Sequence, residues 1–554
     1  MNSLKIRGNI IMLFFAVVLM VFIGRLFSVQ VLSKEYARKA DRYVIKTKNI
    51  IPPRGNVYNR DGDIYVSNRP MFNMLVTPEK LFIPDMNILE NYLRMDRAEI
   101  EKAIAAARKY SRQKESVIAR YIEPEVYGAL QEETWNFRGI NFSASNKRTY
   151  HYQVGANILG YISEVSQRDI DRSEGKYMIG DLIGKTGIER SHDSTLRGVQ
   201  GEKKILTDVH NRVVGSYAEG HYDKKAEKGK DVMLGIDTDL QGFGEWLMEG
   251  KKGSIVAIEP SSGEILSFVS APSYNPSGLT GRELDRNWVI LNQDSTKPLF
   301  NRPLMAAYPP GSIFKLAVGL AAMNEGIISP NTYYSCGGSF KRNKGKPGCR
   351  FHVTPLSFGN AVKHSCNSYF AATYMDFLLD KSFPDIYKAY DRWQDYMTQM
   401  GLGNDLGVDL PYEKSGSIPS AAKYDKWYGH DRWSATTIIS NAIGQGEILM
   451  TPLQMANLSA LIANKGNYVR PHFLRAIRGR DDDVWHRVSY ERVNTEIQTR
   501  HFQTVIDAME QVVANGTARR AQIEGITVCG KTGTVENPHG EDHAVFLGFA
   551  PKDN

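Results

Sequence analysis

Residues Tyr308-Pro309-Pro310-Gly311-Ser312-Ile313-Phe314-Lys315 run straight into the apolar stretch Leu316-Ala317-Val318-Gly319-Leu320-Ala321-Ala322-Met323. A Pro-Pro-Gly turn ends whatever precedes it, and the run that follows has no polar face to offer water. The chain must therefore start a helix here and bury it, which requires a folded domain with a core. That start puts Ser312 in the first turn and Lys315 three residues on along the same face. A lysine amine desolvated in a pocket has a lowered pKa and can take the proton of a serine hydroxyl, otherwise a poor nucleophile. The pair is the minimum equipment for acyl transfer.

Ser-x-x-Lys occurs twice more, at Ser111-Arg112-Gln113-Lys114 in a charged helix-like stretch and at Ser420-Ala421-Ala422-Lys423 in a polar loop. Neither leads into a buried helix, so both read as solvated surface pairs. Ser312 has further company. Ser365-Cys366-Asn367 sits between an expected helix over Pro355 to His364 and the aromatic run Ser368-Tyr369-Phe370. Val528-Cys529-Gly530-Lys531-Thr532-Gly533-Thr534-Val535 reads as a strand whose glycines let a ligand approach the backbone. A second Lys-Thr-Gly, at Lys185-Thr186-Gly187, precedes the Ser-x-x-Lys element and reads as structural.

In this order, the three elements resemble those of the penicillin-recognising serine acyltransferases, the penicillin-binding proteins and serine β-lactamases. Asn441-Ala442-Ile443-Gly444-Gln445-Gly446 with Thr451-Pro452-Leu453-Gln454 resembles a further segment of transpeptidase domains. Pro53-Arg54-Gly55 within residues 51–62, and Gly187-Ile188-Glu189 with Leu196-Arg197-Gly198 and Gly201, resemble elements of the non-catalytic region of the monofunctional, class B enzymes, where interdomain packing is the expected role. The Tyr-Pro-Pro-Gly before Ser312 and the leucine after Lys315 look like the elongation type, the penicillin-binding protein 2 group; a division-type enzyme is the alternative within the class.

The resemblance implies a peptidoglycan D,D-transpeptidase acting through a serine acyl-enzyme. Catalytic residues would be Ser312, Lys315, Ser365, Asn367 and Lys531; Thr532, Gly533 and Thr534 would bind substrate. No cofactor is needed for that chemistry. Substrates would be stem peptides, β-lactams would be inhibitors, and a RodA-type SEDS glycosyltransferase with other elongation-complex proteins would be partners. A β-lactamase would ordinarily be a shorter soluble chain, and a β-lactam sensor would carry signalling segments inside the cell.

A chain of 554 residues suggests two or three domains. Ile10 to Gly24 is mostly apolar and continues after Arg25 through Leu32, long enough to span a bilayer. Lys5 and Arg7 precede it, so residues 1–8 form a cytoplasmic tail, 9–32 a single-pass anchor in the plasma (inner) membrane, and the rest lies outside. No small-x-small site follows the run, which favours an uncleaved anchor over a signal peptide. Residues 33–231 are mixed in pattern and fit a pedestal, dimerisation-like domain; 232–554 would form the transpeptidase domain. Ser254–Glu259 and Glu264–Val269 around Pro260-Ser261-Ser262-Gly263 form a hairpin. The expected architecture is α+β, an antiparallel sheet covered by helices. The chain stops at Asn554 just after a strand-like run, where the resemblance implies a final strand and helix, so the sequence reads as a piece.

The net charge of +8 is scattered among nearly as many acids with no basic block interleaved with aromatics, which argues against nucleic acid as a partner. Four cysteines leave three readings open outside the membrane. Cys336 and Cys349 could form a disulfide; Cys336, Cys349, His352 and Cys366 could form a Cys₃His structural zinc site; or the thiols could be free. Cys529 reads as a small buried strand residue, and His430, His539 and His543 as loop residues.

Overall fold

The computed structural model describes residues 2–29, 45–207, 213–479, 482–535 and 541–553. An N-terminal helix covers Asn2–Phe27, and its stretch Gly8–Phe27 has a mean hydropathy of 2.7 with none of it buried in protein. Twenty such residues rise about 30 Å, the thickness of a bilayer core. Residues 30–32 of the expected span lie outside the described residues.

The chain divides into two compact units. The first comprises Met1–Arg54, Arg69–Lys147 and Arg197–Gly229. Ile100, Ile104 and Ala107 recur at helical spacing along Arg97–Tyr110 and bury one stripe of it. With Leu89, Leu93 and Leu130 from helices Met86–Leu93 and Pro124–Glu132, they cover Met74, Val76, Ile118 and Ile122. Those four come from the antiparallel strands Ile64–Val76 and Ser116–Ile122. Ile45–Ile50 pairs antiparallel with Gly201–Thr207 in the same unit.

The second unit comprises Gly55–Asn68, Arg148–Leu196 and Lys230–Asn554. A single cut at residue 231 does not separate the two, because β1 (Val57–Tyr58) pairs in parallel with β2 (Asp231–Leu234). Arg148 explains why its neighbours join this unit. Its guanidinium is buried, pairs with Glu189 at 2.6 Å, and donates to the carbonyl of Gly55 and the side chain of Asn68. Gly55 in turn donates to the carbonyl of Leu196. Gly55 of the Pro-Arg-Gly element and Glu189 of the Gly-Ile-Glu element thus meet at one packing node inside the second unit.

After α1 (Thr238–Leu247) comes the expected hairpin, β3 (Gly253–Ile258) with β4 (Ile265–Ala271). Next are α2 (Lys315–Asn324), α3 (Asn367–Leu378), α4 (Ala421–Tyr428) and α5 (Pro452–Ala463). Strand β5 (Leu474–Arg478) pairs with β2, and α6 (Thr499–Asn515) leads to a second hairpin, β6 (Cys529–Val535) with β7 (His543–Phe549). Helix α5 packs against β3 and β7, so the two hairpins share one helical support. The α2 run is buried throughout, from Lys315 to Met323. The expected helix over 355–364 is shorter, Phe358–Lys363.

Candidate active site

Gly311, Ser312 and Ile313 form a single 3₁₀ turn ahead of α2. Gly311 takes φ +59°, a conformation open to glycine, and a Cβ there would come within 2.7 Å of Val535 Cγ2. Its N–H donates to the carbonyl of Gly444 at 2.8 Å, and Tyr308 and Met450 exchange backbone hydrogen bonds of 2.9 and 2.8 Å. Gly444, at φ +66°, would drive a Cβ into the Gly311 carbonyl and to 2.6 Å from Phe314 Cβ. The Gly-Gln-Gly segment therefore clamps the serine turn from one side and β6 from the other. Ser312 itself is half-buried, and its hydroxyl has no hydrogen-bond partner among the described residues.

Lys315 is fully buried and donates not to Ser312 but to Ser365 and Asn367. The contacts are 2.8 Å to the Ser365 carbonyl, 3.2 Å to its Oγ and 2.6 Å to Asn367 Oδ1. Burial pushes its amine down to about 7, with the sulfurs of Cys366 and Cys349 opposing. Lys531 reaches the same hydroxyl, with Nζ 3.0 Å from Ser365 Oγ and 2.8 Å from the Thr532 carbonyl. Burial, and after it the Lys315 charge, pushes Lys531 well below the ordinary lysine value. Ser365 thus bridges two desolvated amines, and it does so from a left-handed backbone, φ +56°.

Asn367 opens α3, and its amide donates to the Gly348 carbonyl at 2.7 Å. Lys531 and Gly533 are buried on β6, Thr532 is half-buried and Thr534 is exposed. A Cβ on Gly533 would sit 3.2 Å from the Pro310 carbonyl, so the Lys-Thr-Gly strand runs directly along the serine turn. Sequence reasoning missed Thr517, whose hydroxyl lies 2.8 Å from that of Thr532. It follows α6 in a loop with no spacing signal. It also read His543 as a loop residue; His543 is on β7 and packs its ring on Tyr308 at 5.2 Å. His539 lies outside the described residues.

The rival motifs stay apart from this site. Ser111 Oγ accepts from the N–H groups of Gln113 and Lys114 in a turn. Ser420 precedes α4, and Lys423 lies over the Trp427 ring at 5.0 Å. Lys185 pairs with Asp169 at 2.6 Å and holds that carboxyl well below the usual range. His430 is exposed and pairs with Asp425. Thr-Pro-Leu-Gln is scaffolding: Thr451 and Gln454 form a capping box, and Gln454 also donates to the carbonyls of Asn404 and Ser415.

None of the four cysteines is disulfide-bonded in this structure. Cys336 instead contacts Ser368 Oγ at 3.3 Å. Ligand atoms of Cys336, Cys349, His352 and Cys366 lie within 4.8 Å of one another. Cys349 Sγ is 3.8 Å from Cys366 Sγ and 3.4 Å from His352 Nε2. A tetrahedron with bonds of about 2.3 Å has edges of about 3.8 Å, so the donor set fits zinc in type, number and spacing. The cluster touches the catalytic motif, since the Asn367 N–H points at Cys349 Sγ, 3.3 Å away. The four thiols are otherwise unlike, Cys529 being simply buried as expected.

A serine beside a buried low-pKa lysine, a second serine bridging two lysines, and a Lys-Thr-Gly strand along the nucleophile define a serine acyltransferase site. Residues 253–554 match the penicillin binding protein transpeptidase domain and residues 49–234 the penicillin-binding protein dimerisation domain; the chain belongs to the penicillin-binding protein transpeptidase family. It is 27% identical over 549 residues to the peptidoglycan D,D-transpeptidase MrdA of Acinetobacter baumannii, covering 94% of this chain and 78% of that one. The MrdA of Escherichia coli K12 is 26% identical over 569 residues, 96% and 87% of the two chains. Among solved structures, the PBP2–MreC complex of Helicobacter pylori aligns with a TM-score of 0.74 at 24% identity over 92% and 93% of the chains, a likeness of fold. A peptidoglycan synthase complex that coordinates polymerisation and crosslinking aligns at 0.67 with 26% identity over 99% and 92%.

Proposed function

We propose that the protein is a peptidoglycan D,D-transpeptidase of the elongation type, cross-linking stem peptides and acylated by β-lactams. The observation that carries this reading is Ser365 Oγ held between Lys315 and Lys531, with a Ser312 hydroxyl that has no partner among the described residues one turn before Lys315. Lys315, neutral, takes the Ser312 proton as Ser312 attacks the carbonyl of the penultimate D-alanine. Backbone amides of Ser312 and Thr534 receive the oxyanion, at about 3 kcal/mol per donor. Ser365 relays the proton to the departing D-alanine. Asn367 holds the peptide amide. Lys531, regaining its charge as the terminal carboxylate arrives, binds it with Thr532 and Thr534. Replacing Ser312 by alanine abolishes covalent labelling by a fluorescent penicillin; retained stoichiometric labelling sinks the assignment.

Cys336, Cys349, His352 and Cys366 would hold a structural zinc ion, whose role is to fix the loop before Ser365 and no step of the acyl transfer. Metal analysis of the purified protein checks this. About one zinc per chain is expected, lost in Cys349→Ser. The N-terminal helix anchors the protein in the plasma membrane with residues 1–8 inside and the chain after residue 32 outside, as the preceding Lys5 and Arg7 favour. A RodA-type polymerase and an MreC-type scaffold are the partners this reading implies.

A further inference from the structure

Cys366 lies between two residues of the catalytic set, Ser365 and Asn367, and a second thiol stands close to it. Cys349 Sγ is 3.8 Å from Cys366 Sγ and 3.3 Å from the Asn367 nitrogen, whose N–H it accepts. The loop that carries Cys349 holds Asn367 a second time, since the Gly348 carbonyl accepts from Asn367 Nδ2 at 2.7 Å. Lys315 directs its contacts to the two residues that flank Cys366, reaching the carbonyl and Oγ of Ser365 and the Oδ1 of Asn367. Lys531 holds Ser365 Oγ as well. Cys366 itself is fully buried, and its sulfur caps α3 by accepting the Tyr369 N–H at 3.3 Å. Cys349 is only half-buried, so a small solute reaches it from the surface.

We propose that Cys349 and Cys366 form a site of reversible oxidative modification, in which a hydroperoxide converts the pair to a disulfide that slows acylation by displacing the backbone between Ser365 and Asn367. The proposal rests on the serine acyltransferase reading and adds to it a control of the same site. Cys349, the accessible partner, takes one oxygen from hydrogen peroxide and becomes a sulfenic acid, with one water released. The Cys366 sulfur then displaces the hydroxyl group, which leaves with the Cys366 proton as a second water. Two thiols have lost two hydrogens, and one O–O bond has been reduced. A disulfide bond is about 2.05 Å long, so the two sulfurs must close from 3.8 Å to that separation. The residues on either side have little freedom to follow, with Ser365 held by two lysine amines from a left-handed backbone and Asn367 held by Lys315 and Gly348. Misplacing a reacting group by about 1 Å can cost about a hundredfold in rate. The S–S bond also takes two of the four donors from the metal-type cluster, so disulfide and bound metal exclude each other.

The test treats the full-length protein with excess hydrogen peroxide, both as purified and after incubation with a zinc chelator. Intact mass, non-reducing peptide mapping and acylation by a fluorescent penicillin are read on the same samples. The expected result is the loss of two hydrogens per chain, a peptide linked through Cys349 and Cys366, and acylation slowed at least tenfold. Dithiothreitol restores the rate, which separates the effect from methionine oxidation. Each variant is compared with itself before and after peroxide. Cys349→Ser and Cys366→Ser lose the response, and Cys336→Ser keeps it. Absence of the linked peptide from both samples, a linkage through Cys336 in its place, or a Cys349–Cys366 disulfide that leaves acylation unchanged overturns the proposal. Failure of the reduced protein to acylate at all overturns the acyltransferase reading instead.

Discussion

On the proposed mechanism, Lys315 sets the pH at which this site begins its chemistry. Burial disfavours its charged form and brings it down to about 7, so the free amine accumulates as pH rises through that value. The acylation rate constant is therefore expected to climb from pH 6 to about 8 and then level, with Lys315→Met removing the dependence along with nearly all activity; stopped-flow acylation by a chromogenic cephalosporin checks both. Ser312, Lys315, Ser365, Asn367 and Lys531 were legible as residues, since each sits in a short motif that a single helix start or strand can present. Their wiring was not. The spacing of Ser312 and Lys315 suggested a direct pair, whereas the amine turns to Ser365 and Asn367, fifty and fifty-two residues on. The left-handed backbone of Ser365 and the Thr517–Thr532 contact are imposed by tertiary packing and leave no local trace.

At the level of elements, the serine turn is a three-way contact between the start of α2, the Gly-Gln-Gly arc and β6. Gly444→Ala would need both a left-handed alanine and space already filled by Gly311 and Phe314. We expect it to lower stability by about 2–4 kcal/mol and to slow penicillin acylation at least tenfold in whatever folds, as seen by thermal unfolding alongside labelling kinetics. The hairpin at Gly253–Ala271 was readable because two short apolar runs flank a Pro/Gly turn. All four members of the metal-type cluster could be named from the chain, but spacing supports only two of them. Cys349 and His352 have a suggestive spacing, but the closeness of Cys336 and Cys366 follows from how the loop folds back on α3.

For the whole molecule, the two family matches meet near the expected division at residue 231, at 234 and 253, while the compact units interleave across it. Two early segments, Gly55–Asn68 and Arg148–Leu196, are tied to the catalytic part by contacts such as Arg60–Glu264 and Gly155–Glu245, and to each other around the buried Arg148–Glu189 pair. Breaking such a pair leaves a buried charge uncompensated, so Arg148→Ala is expected to cost about 3–5 kcal/mol, read by chemical denaturation, while penicillin labelling of the folded fraction persists. That interleaving could not be read from the chain because its hydrogen bonds join residues far apart in sequence; Asn56 and Asp231 are separated by 175 positions. The same distance becomes a matter of time during synthesis. At roughly 5–20 residues per second, about 10–35 s pass between the emergence of Asn56 and that of its partner. Through that interval β1 has an edge that β2 has yet to cover, and the nascent chain depends on whatever shields it until the catalytic half arrives.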